Sequence, residues 1–141
     1  MDGKKVVALL AGIAAFGLTW FATRGLFSKP GPTSARFLSG VASEVNKTLP
    51  MMLDKDTEFV SATGLEGTFV YNYRLVNHGA GDLDVAVFNS KMQPLITNAA
   101  CTRPETRDGF LRKGVVLRYA YADRDRNHVT TIDVTPADCG P

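Results

Sequence analysis

The sequence predicts an α+β protein: an N-terminal transmembrane helix followed by a small α-β-β-α-β-β domain, its helices packed on one face of an antiparallel sheet of about four strands. Three observations lead there. An almost uninterrupted apolar run spans residues 6 to 22, with Lys4 and Lys5 before it and Arg24 and Lys29 after it. Beyond a Pro/Gly-rich stretch, apolar residues recur at helical spacing in some segments and alternate in others. The two cysteines, Cys101 and Cys139, both fall in that second part.

The apolar run from Val6 to Ala22 is about seventeen residues long, at the short end of what crosses a bilayer as a helix. That length also suits a cleaved signal peptide, which needs small residues at positions −1 and −3 of the cut. Cutting after Ala22 or Thr23 leaves Trp20 or Phe21 at −3. A cut after Gly25 meets the rule but places Arg24 between the two small residues. Trp20 and Phe21 fit better as aromatic anchors at the far headgroup layer, with Lys4 and Lys5 reaching water on the near side. The expected layout is a cytoplasmic tail at 1–5, a membrane anchor at 6–27, a Pro/Gly linker at 28–33 and an extracytoplasmic domain at 34–141. No cysteine lies near the run, which excludes a lipid-modified cysteine anchor.

Flanking charge is balanced across the run, so the positive-inside rule gives little orientation. The cysteines decide it: two, far apart in sequence and both in the globular part, are expected to form one disulfide in an oxidising compartment, with a pair of free buried thiols as the alternative. A single-pass protein of the bacterial inner membrane with its domain in the periplasm is the expected arrangement.

The formal net charge is +2, but four of the sixteen basic residues and only one of the fourteen acidic ones lie at or before Lys29. The remainder carries one net negative charge, too little positive potential for a nucleic-acid partner. Arg103, Arg107, Arg112, Lys113, Arg118, Arg124 and Arg126 gather late in the chain, but Glu105, Asp108, Asp123 and Asp125 are interleaved with them.

The first element of the domain reads as a helix capped by Thr33 or Ser34. Phe37, Leu38, Val41, Val45 and Leu49 share one face, Arg36, Ser43, Asn46 and Lys47 take the other, solvent face, and Pro50 ends it. A weaker strand near 57–62 and a strong one at 68–76 follow, joined through Gly64-Leu65-Glu66-Gly67; in the second, Phe69, Tyr71, Tyr73 and Leu75 make an apolar face. After the loop at 77–81, Asp82 opens a second helical stretch with Leu83, Val87, Phe88, Met92, Leu95, Ile96 and Ala99 on one side. Pro94 must kink or divide it. A short helical turn, Pro104 to Leu111, is closed by Gly114. A hairpin ends the chain: Val115, Leu117, Tyr119 and Tyr121 alternate, residues 123–127 turn, and Ile132 and Val134 face inward on the return.

Leu49-Pro50 with Asp54, Tyr71-Asn72-Tyr73, Cys101-Thr102-Arg103-Pro104, Gly114 through Tyr119-Ala120-Tyr121-Ala122-Asp123, and Val134-Thr135-Pro136-Ala137-Asp138-Cys139 resemble a family of small bacterial envelope proteins with a paired-cysteine α+β domain, uncharacterised in function. The likeness covers roughly residues 47 to 139 and implies no activity, cofactor or catalytic residue. The turn departs from the family pattern, with Asp125-Arg126-Asn127 where Asp followed by Gly is expected.

The inventory for catalysis is thin. His78 and His128 are the only histidines, and neither has a second metal-type residue at ligand spacing, so no metal and no cofactor is expected. Ser39, Ser43, Ser61 and Ser90 sit in no nucleophile-elbow context. Asp54, Asp56 and Glu58 form an acidic run that reads as solvated carboxylates before a strand. Gly79-Ala80-Gly81 lacks the context of a dinucleotide loop. A non-catalytic, membrane-tethered domain that binds a protein partner in the envelope is the leading expectation, as an accessory of a secretion or assembly machine or as an immunity-type inhibitor. An envelope enzyme acting on sugar or peptide through the acidic run or His128 is the second. A structural homo-oligomer packed through Ala8, Gly12, Ala11 and Ala15 is the third.

Overall fold

The computed structural model describes residues 31–79 and 81–140. The expected anchor, with Val6, Trp20, Phe21 and Ala22, lies outside them. Helix α1 (Ala35–Asn46) is followed by strands β1 (Met51–Met52), β2 (Thr57–Leu65) and β3 (Thr68–Leu75), helices α2 (Val85–Thr102) and α3 (Pro104–Arg107), a 3-10 turn at Leu111–Lys113, strands β4 (Val116–Ala122) and β5 (His128–Val134), and a second 3-10 turn at Pro136–Cys139.

The expected fold class needs correction. The sheet has five strands in the order β1-β2-β3-β4-β5, and it is mixed rather than antiparallel, because β3 and β4 run parallel. The α-β-β-α-β-β order misses β1, whose two residues are too short for any alternation to register, and resolves the short turn at 104 as a helix of its own. Among the described residues no helix is long and apolar enough to cross a membrane.

The parallel join follows from the length of α2. The chain leaves β3 at Leu75 and must start β4 at Val116, which pairs with Thr68 at the opposite end of β3. Eighteen helical residues rise about 27 Å and eight strand residues about 26 Å, so α2 returns the chain over almost the length of β3. A hairpin cannot make that return, whereas a helical crossover makes neighbouring strands parallel. Pro94 does not divide α2; it withholds the donor that would bond the Ser90 carbonyl, at an exposed position of a continuous helix. The buried stripe of α2 is narrower than expected: Phe88, Met92, Ile96 and Ala100 at strict four-residue spacing, with Val87 and Leu95 exposed.

The tyrosines bond the join from within. In the parallel register Tyr71 lies beside Tyr119 and Tyr73 beside Tyr121, with ring centroids 4.9 and 5.1 Å apart, and Phe69 stacks on Phe110 at 4.9 Å. Offset and tilted ring pairs add to their area burial. Burial raises all four phenols above their ordinary pKa, so each is held neutral. The hydroxyls of Tyr71 and Tyr73 are buried and bond no protein group among the described residues.

Helix α1 lies against β2, and its contact is unusually close. A Cβ on Gly64 would stand 2.1 Å from the Leu38 carbonyl carbon, so only glycine lets the two backbones touch. The Asn46 side chain accepts from the Ala62 N–H at 2.7 Å and donates to the Ala62 carbonyl at 2.9 Å. Ser39 Oγ donates to the Gly64 carbonyl at 3.1 Å, and Gly67 N–H donates to the Thr33 carbonyl at 2.8 Å. Asn46, placed by its spacing on the solvent side, thus stands in for a neighbouring strand.

The expected disulfide is present. Cys101, at the end of α2, and Cys139, in the turn after β5, have Cα atoms 5.2 Å apart and close a separation of 38 residues. The turn it holds is ordered locally as well: Asp138 Oδ2 accepts from the Thr135 N–H at 2.8 Å, and the Thr135 carbonyl accepts from the Asp138 N–H at 3.0 Å.

Candidate partner-binding surface

Both long helices pack on the face of the sheet that carries Phe69, Tyr71, Leu117 and Tyr119, which leaves the other face open. The alternation of the strands writes that open face: Glu58, Val70, Asn72, Arg74, Arg118, Ala120, Ala122 and Asp133 point outward because their neighbours point in. Most of its polar groups are tied to one another. Arg74 Nε donates to Glu58 at 3.0 Å and Arg74 Nη1 to the Arg124 carbonyl at 3.1 Å. Asn72 Nδ2 donates to Ser61 Oγ and Thr63 Oγ1, each at 3.1 Å. Arg118 grips Asp133 through two bonds of 2.9 and 3.1 Å, which raises the guanidinium pKa.

A groove of about 260 Å³ crosses this face, floored by the small Ala120 and Ala122 and rimmed by Asn72, Arg74, Arg126 and His128. Arg126 and His128 bond no carboxylate among the described residues and are exposed. Arg126 takes the left-handed conformation at φ 70°, a region that favours glycine. The buried Asp123 makes that turn tolerable: its Oδ1 accepts from the N–H groups of Asp125 and Asn127, each at 2.9 Å.

The acidic run is consumed by structure. Asp54 Oδ1 accepts from the N–H groups of Asp56 and Thr57 at 2.8 Å, Asp56 accepts from Asn77 Nδ2 at 2.7 Å, which lowers its pKa, and Glu58 pairs with Arg74. Ser39 and Ser90 donate to backbone carbonyls, and Ser61 accepts from Asn72. His78 lies in the loop after β3, where its carbonyl accepts from the Arg124 N–H at 2.8 Å. His128 lines the groove, but no carboxylate lines it with His128. Among the described residues no three His, Cys, Asp or Glu side chains gather as a metal site. The disulfide sulfurs border a second groove, of about 310 Å³, beside Arg107 and Arg112. There Arg107 bonds Asp108 at 3.0 Å and lowers the carboxyl pKa.

A mixed five-stranded sheet with two helices on one face, an open second face and a disulfide at the C-terminal end defines a small α+β domain. No family model matches the chain. Three solved structures share the fold. A Pseudomonas aeruginosa protein described as secreted aligns with a TM-score of 0.62 at 16% identity, covering 74% of this chain and 91% of that one. The pilotin EpsS of the Vibrio vulnificus type 2 secretion system aligns at 0.60 and 15%, covering 76% and 92%. The type II secretion system pilotin AspS of Vibrio cholerae aligns at 0.57 and 14%, covering 74% and 91%. In sequence, the Escherichia coli protein named Protein K is 29% identical over 87 residues, 60% of this chain; the chain spans less than half, 46%, of that relative's length.

Proposed function

We propose that this chain is a non-catalytic accessory protein of a bacterial secretion or assembly system, tethered to the inner membrane through residues 6–27, with its α+β domain in the periplasm binding another envelope protein. The observation that carries this reading is the fold, which covers nine-tenths of two type II secretion pilotins. The disulfide supports the compartment, since such bonds persist where thiols are oxidised. The acidic run, which the enzyme alternative would use, is occupied in bracing the loop before β2.

Two measurements test the reading. A tagged full-length chain, cross-linked in its own cells and purified from membranes, is expected to bring down one envelope protein of a secretion or assembly machine. Recovery alone, or release as a soluble protein from a lysed periplasm, overturns the partner or the tether respectively. An alkaline phosphatase fusion after Pro141 is expected to be active, and a cytoplasm-dependent reporter at the same position dead.

A further inference from the structure

The two ends of the domain differ in charge, and the chain enters at one of them. Thr33 is fixed at that end: its carbonyl accepts from the Gly67 N–H at 2.8 Å, and a Cβ at Gly114 would meet its methyl at 3.7 Å. Strands β3 and β4 begin here and β2 and β5 finish here, and the disulfide holds the end of α2 at the same place. Segments 31–36, 65–68, 101–115 and 135–140 therefore lie together, with five lysines and arginines against four carboxylates, a net +1. At the opposite end, segments 53–58, 74–84 and 122–128 carry four against seven, a net −3. The carboxylates of the entry end are engaged or half-buried: Asp108 holds Arg107 and Arg112, Glu66 accepts from the Ala35 N–H, Asp138 accepts from the Thr135 N–H, and Glu105 is half-buried. Arg36, Arg103 and Lys113 are exposed and bond no carboxylate among the described residues. Leu65, beside Glu66 at the hairpin tip, is 44% exposed.

We infer that the entry end is a membrane-facing surface, and that it docks on the anionic phospholipid headgroups around the chain's own tether. The inference rests on the tether of the reading above. Three residues, 28–30, separate the expected anchor from Gly31, a reach of no more than about 10 Å. Salt screens charge over about 8 Å at physiological ionic strength, and the eight residues of β3 put about 26 Å between the two ends. The headgroups thus meet the cations of the entry end, while the acidic loops of the far end are screened from them. Tethering supplies the encounter, so a modest attraction per cation is enough to hold the surface down. The aliphatic stems of Arg36 and Lys113, with Leu65, suit the acyl boundary, and their charged heads suit the phosphates. Docked in this way the strands stand upright on the membrane, and the open face of the sheet is left to the protein partner.

The test uses the full chain in nanodiscs of phosphatidylcholine, alone or mixed with equimolar phosphatidylglycerol, and reads the broadening that a lipid with a paramagnetic headgroup imposes on amide signals. With phosphatidylglycerol, broadening at Gly67, Lys113 and Gly114 is expected to be about tenfold stronger than in phosphatidylcholine alone. It is expected to fall back at about 1 M salt, where screening acts within about 3 Å. The double variant Arg36→Glu with Lys113→Glu, both at exposed positions, is expected to melt like the parent and to lose the preference for phosphatidylglycerol. Equal broadening in the two lipids, or the strongest broadening at Asp125 and Arg126 of the far end, overturns the inference. Elution of the chain with the disc separates this failure from that of the tether. A chain that elutes with the disc and shows no lipid preference overturns the docking and leaves the tether standing, and a chain that elutes without the disc overturns both.

Discussion

The two borders of the sheet face the same solvent and meet it in opposite ways. At β2 a helix comes down until its backbone touches Gly64, and a single asparagine takes both polar groups of Ala62. At β5 the helix stays on the inner face, and a disulfide beyond the strand holds the end of α2 to the final turn. Closure at the first border uses backbone proximity and leaves no room for a ligand. At the second, a covalent tie beyond the strand holds its end, and among the described residues no group outside the β4 ladder bonds its outer edge. Order and coverage are separable, and this molecule separates them.

The severest way to break that contrast is to remove the floor both borders share. The four central phenols have folded pKa values raised by burial above the unfolded value near 10, so the stability they contribute is full below about pH 10 and falls as pH rises past it. With four protons retained only by the folded state, the loss is about 5 kcal/mol per pH unit. Circular dichroism against pH should show cooperative unfolding within about one to two units above pH 10, and the combined variant Tyr71→Phe with Tyr73→Phe should halve the slope.

Next in size is the tie at the bare border. Replacing Cys101 and Cys139 by serine should cost about 4 kcal/mol in urea, the loop-closure entropy for a span of 38 residues. Exchange at β5 should rise more than at β2. Gly64→Ala should cost about 3 kcal/mol, because the added methyl meets main chain that has no rotamer to yield. Asn46→Ala should cost about 2 kcal/mol by orphaning two backbone groups, with faster exchange at the Ala62 amide as its signature. Smallest is Arg118→Ala, whose half-exposed ion pair with Asp133 should change the melting free energy by under about 1 kcal/mol.

Much of this was legible in the chain. The alternation of Phe69, Tyr71 and Tyr73 and of Leu117, Tyr119 and Tyr121 marked the inner face, the stripe Leu38, Val41 and Val45 marked the covering helix, and two lone cysteines marked their own pairing. The direction of β4 was not legible, since alternation is the same read either way and only the reach of α2 decides it. Asn46 was read as a solvent residue because helical spacing reports a face and not what lies beside it. The one hint of the close approach was Gly64 inside a strand, where a side chain is ordinarily worth having. The candidate surface was half legible: alternation already sends Asn72, Arg74, Ala120 and Ala122 outward, but the groove they form with Arg126 and His128 depends on which strands lie side by side, and that is set by the parallel join.

The parallel seam between β3 and β4 also divides the chain's covalent economy. Everything from Ala35 to Leu75 lies on one side of it, and everything from Val85 to Cys139, both half-cystines included, on the other. A protease cut between Leu75 and Val85 would therefore yield two peptides with no bond between them, one bringing three strands and the other two strands and its own staple. Seven paired positions, the ring contacts of Phe69, Tyr71 and Tyr73 with Phe110, Tyr119 and Tyr121, and bonds such as that from Arg74 to the Arg124 carbonyl would hold the two together. The molecule is in that sense a ready-made split pair, whose halves could be expressed apart and reunited as a reporter of proximity.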